Sequence, residues 1–379
     1  MRDAIDDSLL ATYVLVAPNA PAAAACARDV AIEQTVEVTE ALCVDPFIQD
    51  RIVGRVEGVD GLGGGRFQAR IRYSFDVLTA ELPQIWSVLY GNVSLKPGVR
   101  LVGVDPGPGL AARIRGPRHG VAGIRALLGV PDRPLVMGAL KPLGRTVDEL
   151  ASYARDLAAG GLDILKDDHG LADQPLCRFE TRVERCAAAV AEGRAVSGHR
   201  TLYFPCVTGP ADRVVARARF ARDAGAGGVL IAPFVAGIDF MRAVADDTGL
   251  PIMSHPALAG AFLASPDHGI AHDVLFGTMM RLSGADLVVF PSWGGRFPFT
   301  RDQCVSIDRA LKRDLHAVRP ALPVPAGGIS LDRVPAMLAP HGRDVVFLIG
   351  SALYERSPDL AANAAFFRSM AASPDGVPR

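Results

Sequence analysis

Short apolar runs alternate with amphipathic stretches from about residue 119 to the end of the chain. The runs are rich in Val, Ile and Leu, and a polar or glycine-containing turn follows each of them. The eight runs lie at 135–140, 162–165, 202–207, 229–232, 251–254, 287–290, 322–325 and 345–349. Between them, apolar residues recur with the 3.6-residue period of a helix, as at Val147, Leu150, Ala154 and Leu157. Near-continuous apolar strands suit a parallel sheet buried on both faces. Eight strand–helix units over about 250 residues therefore predict an α/β fold, a (β/α)8 barrel of the TIM type.

The first 115 residues follow a different pattern, in which apolar and polar residues alternate strictly from Phe67 to Phe75. Such alternation predicts a strand with one solvent-exposed face. The predicted order is a strand at 12–16, a helix at 21–32, strands at 36–39 and 67–75, a helix at 82–90 and a strand at 99–104. This β-α-β-β-α-β order predicts a ferredoxin-like α+β domain. Pro-Gly pairs at 106–109 disfavour regular structure, so we expect an N-terminal domain at 1–115 and a barrel with the active site at 116–379.

Composition and charge narrow the class of protein. Hydrophobic residues make up 49% and charged residues 21% of the 379 positions, which excludes a disordered or fibrous chain. The formal net charge is -1 and no basic stretch is interleaved with aromatics, so we expect no nucleic-acid partner. The apolar stretch 9–27 is interrupted by Pro18, Asn19 and Pro21, so we expect no membrane span. Six scattered cysteines without a CxxC pair, and an acidic N-terminus, predict a cytoplasmic protein with reduced thiols.

Polar side chains and glycines follow the ends of the predicted barrel strands, where barrel enzymes collect their active sites. These residues are Lys141 after the first run, Lys166, Asp168 and His169 after the second, His255 after the fifth, Arg296 after the sixth, Gly327 and Gly328 after the seventh, and Gly350 and Ser351 after the eighth. Residues two apart on a strand point to the same side, so Lys166 and Asp168 should share one face. Two interpretations stay open. The pair is a plain ion pair, or burial favours the neutral Lys166 amine, which adds CO2, becomes a carbamate and joins Asp168 in holding Mg²⁺.

Several of these segments resemble the RuBisCO large-subunit family. The element Lys141-Pro142, followed by Gly160-Gly161 and by Lys166-Asp167-Asp168, is similar to the family's signature. The stretches 281–286 and 323–329 resemble its next two landmarks, and Asn92 lies in a Gly-Asn-Val element like that of the family's N-terminal domain. The similar segments occur in the family's order over most of the chain.

The resemblance implies a role for each residue in proton transfer and assembly. Lys141 would move protons beside the reacting carbon, and His255 would be an active-site histidine. Arg296 would lie on the mobile sixth loop, in the place of a lysine. Asn92, together with Glu33, would complete the site of the neighbouring subunit, so the resemblance implies a homodimer.

The resemblance also implies a metal site and a phosphate site. The carbamate of Lys166 would hold Mg²⁺, with Asp168 and His169 as its neighbours. Glycines allow the close approach that lets backbone N–H groups hold a phosphate. The residues of this phosphate site would be Gly327, Gly328, Gly350 and Ser351.

Departures from the family pattern indicate a RuBisCO-like protein of form IV rather than a CO2-fixing carboxylase. His169 replaces a glutamate ligand. Pro256, Val289 and Ala326 stand where an arginine, a histidine and a serine would hold a second phosphate. The site therefore suits a substrate with one phosphate. An imidazole among oxygen ligands weakens Mg²⁺ and favours either a transition metal or a site in which His169 is a base and no metal binds.

The chemistry that survives these departures is enolisation. It needs a polarised carbonyl, a base beside the adjacent C–H and an anchor for the substrate tail; Lys141, withdrawn from water, would supply the base. We expect a lyase or isomerase acting on a monophosphorylated keto sugar or keto-sugar acid. The alternatives are an apionate-pathway decarboxylase or transcarboxylase/hydrolase acting on 3-oxo-isoapionate 4-phosphate, a methionine-salvage enolase or isomerase, and a non-catalytic scaffold with a decayed site. The retention of costly polar groups at the predicted barrel mouth disfavours decay.

Overall fold

The computed structural model describes residues 7–330 and 333–372, and the chain divides into two compact units. The first unit comprises the residues up to Arg115 together with Leu258–Leu282 and Arg313–Val318. The second comprises Gly116–Ala257, Ser283–Lys312 and the residues from Arg319 onward. Two segments that the sequence pattern placed in the barrel thus group with the first unit. Among the residues described, no helix combines the length and the apolar character needed to cross a bilayer.

The secondary structure alternates strands with helices through most of the chain. The strands of the described residues, in chain order, are β1 Ser8–Val16, β2 Arg55–Gly63, β3 Arg66–Ser74, β4 Val99–Pro106, β5 Leu135–Leu140, β6 Ile164–Asp167, β7 Leu202–Phe204, β8 Val229–Ile231, β9 Ile252–Ser254, β10 Gly269–Ile270, β11 Leu287–Pro291, β12 Leu322–Ala326 and β13 Val346–Ile349. The longer helices are Ala20–Glu33, Leu82–Tyr90, Gly120–Leu128, Val147–Ala159, Phe179–Ser197, Val214–Asp223, Asp239–Thr248, Arg301–Lys312, Val334–His341 and Leu360–Ala372. Shorter α-helices are Phe75–Leu78, Pro108–Arg113, Pro233–Ala236, Gly260–Leu263, Met280–Leu282 and Ala352–Glu355, with 3-10 turns at Glu40–Leu42 and Asn92–Leu95 and π-helical turns at Ile48–Ile52 and Val274–Met279.

The first unit is built on one sheet. Strands β1 to β4 pair in the order 4-1-3-2, all antiparallel, and β10 adds in parallel beside β4. Burial alternates along β1, where Leu9, Ala11, Tyr13 and Leu15 are fully buried, as expected of a sheet with one covered face. With a helix after β1 and another after β3, this unit has the predicted ferredoxin-like α+β order.

The strand predicted at 36–39 is wrong. The backbone N–H groups of Val36 and Glu37 donate to the carbonyl of Ile32 at 2.9 and 3.2 Å, and Glu37 has a φ of 53°, so the chain turns there. The second strand is β2, which is mostly exposed and contains three glycines, Gly58, Gly61 and Gly63. An exposed glycine-containing strand lacks apolar alternation, and the sequence pattern therefore did not reveal it.

Among the residues that the structure describes, the second unit contains eight parallel strands, β5 to β9 and β11 to β13. They pair as β13-β5-β6-β7 and as β12-β11-β9-β8, and a parallel bridge between Cys206 and Leu230 joins the two sets. One apolar core cluster takes a buried side chain from each strand or its immediate extension: Leu135, Ile164, Phe204, Leu230, Met253, Leu287, Leu322 and Val346. A core shared by all eight strands is the interior of an α/β barrel. Each of the eight predicted runs overlaps one of these strands.

The helix between β5 and β6 illustrates how local sequence fixes an element. Thr146 and Glu149 form a reciprocal capping box at the start of Val147–Ala159, in which the Glu149 side chain accepts from the Thr146 N–H at 2.8 Å. The buried residues Leu150, Ala154 and Leu157 form its apolar stripe. This helix leads into β6 and so sets the position of the residues that end β6.

Candidate active site

Side chains from three strand ends meet at the mouth of the barrel. Lys141 follows β5, Asp168 and His169 follow β6, and His255 follows β9. The Nζ atom of Lys141 lies 2.8 Å from Oδ2 of Asp168, and Nδ1 of His169 lies 3.2 Å from Oδ1 of Asp168. The His169 ring stacks on the His255 ring, with centroids 4.1 Å apart and planes at 12°. Four residues singled out in the sequence therefore form one contact cluster.

The Asp168 carboxylate is the centre of this cluster. Its Oδ1 also accepts the backbone N–H of Gly170 at 3.0 Å, so three donors hold its two oxygens. Burial opposes ionisation, but the hydrogen bonds from His169, Lys141 and Gly170 outweigh it and hold the pKa of Asp168 well below its usual range. Asp168 is therefore an anion throughout the neutral pH range.

Lys166 lies next to this cluster, in an environment different from that of Lys141. Lys166 is fully buried, and its Nζ donates to the carbonyl of Asp167 at 2.9 Å. Burial lowers the pKa of Lys166, and the neighbouring Lys141 charge acts in the same direction while Asp168 opposes it. Lys141, by contrast, has a side chain 37% exposed and ion-paired. The amine withdrawn from water is thus Lys166 and not Lys141, because Lys166 lies within β6 whereas Lys141 begins a loop.

His255 is a neutral hydrogen-bond donor. Its Nδ1 accepts the backbone N–H of Ala257 at 3.1 Å, which places the ring proton on Nε2. Burial lowers the pKa of His255 to about 2, and Lys166 and His169 act in the same direction. The ring therefore stays uncharged at neutral pH.

Asp167 points away from the cluster and supports it from behind. Its carboxylate accepts from Arg182 Nε at 3.1 Å, from the Tyr203 hydroxyl at 2.7 Å and from the Cys206 N–H at 3.1 Å. Both Asp167 and Arg182 are fully buried. This network anchors the end of β6 and leaves Asp167 no free oxygen for a ligand.

The donor set at the mouth does not fit Mg²⁺ as it stands. Mg²⁺ demands oxygen ligands in near-octahedral geometry. The cluster offers the single carboxylate of Asp168, already held by three donors, an amine at Lys166 and an imidazole at His169. Within residues 7–330 and 333–372, no group of three or more His, Cys, Asp or Glu side chains is arranged to hold a metal ion.

Arg296 and the glycine pair lie on two loops that contact each other. The backbone N–H of Arg296 donates to the carbonyl of Gly327 at 2.9 Å, and its exposed guanidinium lies 5.6 Å from the centre of the Phe297 ring. Gly328 has a φ of 102°, and a Cβ there would lie 3.2 Å from the Cα of Gly295. The glycines therefore permit close packing of the sixth and seventh loops, in addition to any ligand that they would hold.

The eighth strand leaves its end open. A Cβ placed on Gly350 would have no heavy atom within 4 Å. Ser351 is exposed, and its carbonyl accepts the N–H of Tyr354 at 2.8 Å at the start of a short helix. The backbone of Gly350 is therefore accessible to an approaching group.

Asn92 lies in the first unit, in a polar network of its own. Its Nδ2 donates to Oε1 of Glu33 at 3.0 Å, and Nζ of Lys96 lies 3.3 Å from Oε2 of Glu33 and 2.7 Å from Asp29. The two residues expected to serve a neighbouring subunit thus bind each other.

Two residues near the mouth escaped the sequence analysis. Arg333 donates to the carbonyls of Gly294 at 3.0 Å and Gly328 at 3.3 Å, and also to that of Trp293, so it bridges the sixth and seventh loops. The Tyr354 hydroxyl donates to the Ala139 carbonyl at 2.8 Å, behind Lys141. Neither contact has a signal in the sequence, because each joins residues from different strand–helix units.

Comparisons with known proteins assign the family. The family described as "Ribulose bisphosphate carboxylase large chain, catalytic domain" matches residues 120–372. Ribulose bisphosphate carboxylase-like protein 1 of Rhodopseudomonas palustris is 40% identical over 97% of this chain and 99% of its own. The 5-methylthioribulose-1-phosphate isomerase of Rhodospirillum rubrum is 40% identical over 95% of each chain, and the 2,3-diketo-5-methylthiopentyl-1-phosphate enolase of Bacillus pumilus is 33% identical over 96% of this chain and 91% of its own. A solved Rubisco-like protein from Rhodopseudomonas palustris superposes with a TM-score of 0.85 and 38% identity, over 97% of this chain and 98% of the other.

Proposed function

Because the chain belongs to the RuBisCO large-chain family, we propose that it is a RuBisCO-like enzyme that transfers a proton beside the carbonyl of a monophosphorylated keto sugar derivative. One relative is named 5-methylthioribulose-1-phosphate isomerase, and another is named 2,3-diketo-5-methylthiopentyl-1-phosphate enolase. Both names describe a five-carbon keto chain with one phosphate and a methylthio group. They favour the methionine-salvage alternative over the apionate reactions, and the higher identity to the isomerase favours isomerisation.

The Asp168–His169 pair is the observation that carries this proposal. An ionised carboxylate only accepts hydrogen bonds, so the 3.2 Å contact with Oδ1 assigns the proton of a neutral His169 to Nδ1. Nε2 then keeps its lone pair, and the side chain is 48% exposed. An imidazole oriented by a carboxylate is the arrangement of a general base. We assign to His169 the removal and the return of the substrate proton.

Negative charge then builds on the substrate oxygen and needs fixed donors. Lys141 supplies an ammonium group within the cluster, and His255 supplies its Nε2–H. Because the pKa of His255 is about 2, the ring is neutral at working pH and offers its Nε2–H as a hydrogen-bond donor. Preorganised donors of this kind contribute on the order of 10²–10³ in rate each.

Lys166 sets the electrostatics of the mouth. In its ammonium form, Lys166 helps to keep the His255 ring neutral, whereas a carbamate on Lys166 would be an anion and would act in the opposite direction. Burial also supports the carbamate that the family resemblance implies, because the neutral amine is the form that adds CO2. No step is assigned to Mg²⁺, since the oxygen donors present do not fit it.

A single phosphate anchor completes the proposed site. The open backbone at Gly350 and Ser351, the glycine pair Gly327–Gly328 and the exposed Arg296 guanidinium are the groups that we assign to it. Asn92 and Glu33 remain assigned to the site of a neighbouring subunit, so the proposed enzyme is a homodimer.

Deuterium exchange tests the reaction. In D2O, the protein should convert 5-methylthioribulose-1-phosphate and incorporate deuterium at the carbon beside the carbonyl, as followed by ¹H NMR. The variant His169→Asn keeps an N–H donor for Asp168 but has no ring base, so exchange should fall by about 10²–10⁴. The control is His316→Asn, which alters an exposed histidine of the first unit.

Three outcomes would contradict the proposal in separate ways. Equal exchange by the two variants would remove His169 from its role. Conversion of 2,3-diketo-5-methylthiopentyl-1-phosphate alone would make the protein an enolase. An absence of exchange with both compounds would reject the substrate class.

A further inference from the structure

A cavity lies at the end of the barrel opposite the candidate active site. It measures about 590 Å³ and is bordered by residues that precede the strands β5, β7 and β13, among them Arg133, His199 and Arg343, and by the end of the helix Leu360–Ala372. Small-molecule sites measure about 300–1,000 Å³. Because β5 runs for six residues between this end and Lys141, the two sites are about 20 Å apart.

The two arginines that border this cavity have carboxylate partners, whereas the adjoining Arg368 has none among the described residues. Arg133 is neutralised by Asp163, which it grips with both Nη atoms at 2.7 and 2.6 Å, and Arg343 pairs with Asp132 at 2.6 Å. In the part of the chain that the structure describes, no carboxylate or hydrogen-bond acceptor contacts the side chain of Arg368 or that of His199. Arg368 adjoins His199, which borders the cavity, and a guanidinium without a partner at such a place is a binding group for an anion.

Arg368 and His199 lie side by side. Both border the position that a Cβ on Gly161 would take: that atom would clash with Nη1 of Arg368 and lie 2.7 Å from Cδ2 of His199. Gly161 also has a φ of 80°, so only glycine suits this position. The guanidinium and the imidazole can therefore contact the same small ligand.

Electrostatics at the two side chains point the same way. Burial lowers the pKa of His199, and the charges of Arg368 and Arg133 add to this effect. Burial also lowers the pKa of Arg368, with Arg133 acting in the same direction. Burial is the larger cause of both shifts, the neighbouring arginine charges add to it, and Asp163 opposes them. A bound anion would act in the same direction as Asp163.

We propose that this cavity binds a phosphorylated metabolite, with its phosphate group held between Arg368 and His199. The fork of Arg368 and the ring N–H of His199 offer three donors, and a phosphate group has three terminal oxygens, so each donor can reach an oxygen of its own. The remaining volume, bordered by Leu338 and Pro131, accommodates the rest of the ester. The site is independent of the reaction proposed for the barrel mouth.

Calorimetric titration with inorganic phosphate, at constant ionic strength, tests the site. The variant Arg368→Gln removes the unpaired charge, and Arg309→Gln removes an exposed arginine of another helix as the matched control. Phosphate bound at the barrel mouth is common to both variants and cancels in the comparison. We expect Arg368→Gln to weaken phosphate binding at one class of site by at least tenfold. Arg309→Gln should bind phosphate at that site as the natural chain does.

Two further measurements separate the explanations. Without phosphate, Arg368→Gln should melt no lower than Arg309→Gln, because a ligand-binding arginine has no structural partner to lose. D-ribose 5-phosphate should bind at least as tightly as inorganic phosphate, since the cavity holds more than a phosphate group. Identical phosphate isotherms for the two variants, or weaker binding of the ester, would overturn the proposal.

Discussion

Acid should destabilise this protein through the neutral, buried imidazole of His255. In the folded chain, burial lowers the pKa of His255 to about 2, and Lys166 and His169 act in the same direction. In the unfolded chain the ring has an ordinary pKa of about 6.5. Between these values the unfolded state binds a proton that the folded state does not, so the free energy of unfolding falls as the pH falls below about 6.5.

The size of this effect follows from the width of the window. One such ring lowers the free energy of unfolding by up to about 1.4 kcal/mol for each unit that the pH falls within this window. At about pH 5, some 1.5 units below the unfolded pKa, His255 should therefore remove about 2 kcal/mol of unfolding free energy. The variant His255→Asn has no titratable group, and its amide oxygen can accept the N–H of Ala257 as Nδ1 does. It should lose about 2 kcal/mol less than the natural chain between about pH 7.5 and about pH 5.

Urea unfolding followed by circular dichroism, at one protein concentration and several pH values, measures this difference. Asp168 does not contribute there, because its pKa is lowered and the carboxyl is ionised in both states above about pH 5. Burial also lowers the pKa of His272, to about 4. Its effect on the pH dependence of stability is separate and remains in the variant. The control is His316→Asn, since that ring is exposed and its φ of 52° suits asparagine. Equal pH dependence in His255→Asn and His316→Asn would refute the reasoning.

Two other substitutions test the support and the donor set of the cluster. Asp167→Asn should lower the free energy of unfolding by about 3–5 kcal/mol, because it leaves the buried Arg182 charge uncompensated. The control Asp148→Asn breaks an exposed pair with Arg185 and should lower it by less than about 1 kcal/mol. Similar losses for the two variants in urea unfolding would show that the buried pair contributes no more than the exposed one. His169→Glu should bind Mg²⁺ at least about tenfold more tightly than the natural chain in calorimetric titration, because it exchanges an imidazole for the oxygen ligands that Mg²⁺ prefers. An unchanged affinity would mean that residue 169 does not limit Mg²⁺ binding.

The barrel could be predicted from sequence because its signal is local. All eight parallel strands are buried on both faces, and each appears as an apolar run. The ferredoxin-like order also followed from patterning, although β2 did not. That strand is exposed on most of its length, so its place is decided by pairing with β3 rather than by its own residues. Pairing also decides the place of β10, which is two residues long and pairs with residues of β4 that lie 169 positions earlier in the chain.

The candidate site was predictable in part, through strand periodicity and strand ends. Residues two apart on a strand share a face. Accordingly, the Asp168 charge acts on the pKa of Lys166 and raises it, whereas the Asp167 carboxylate accepts from the buried Arg182. Which lysine is buried did not follow from the sequence. Burial of Lys166 depends on residues from neighbouring strands, and the exposure of Lys141 depends on the loop that it begins.

Position 169 decides what the rest of the cluster can do. The Asp168 carboxylate has two oxygens, and in the described structure three hydrogen bonds occupy them, one from His169. The donors from His169, Lys141 and Gly170 leave the carboxylate about one of its four lone-pair sites for a hard cation, and His169 adds no oxygen ligand of its own. A glutamate at 169 would instead repel Asp168 and favour a cation between them. Under the proposed function, the same barrel and the same neighbouring lysines would serve metal-assisted proton transfer with a glutamate at 169 and imidazole-based proton transfer with the histidine that this chain has.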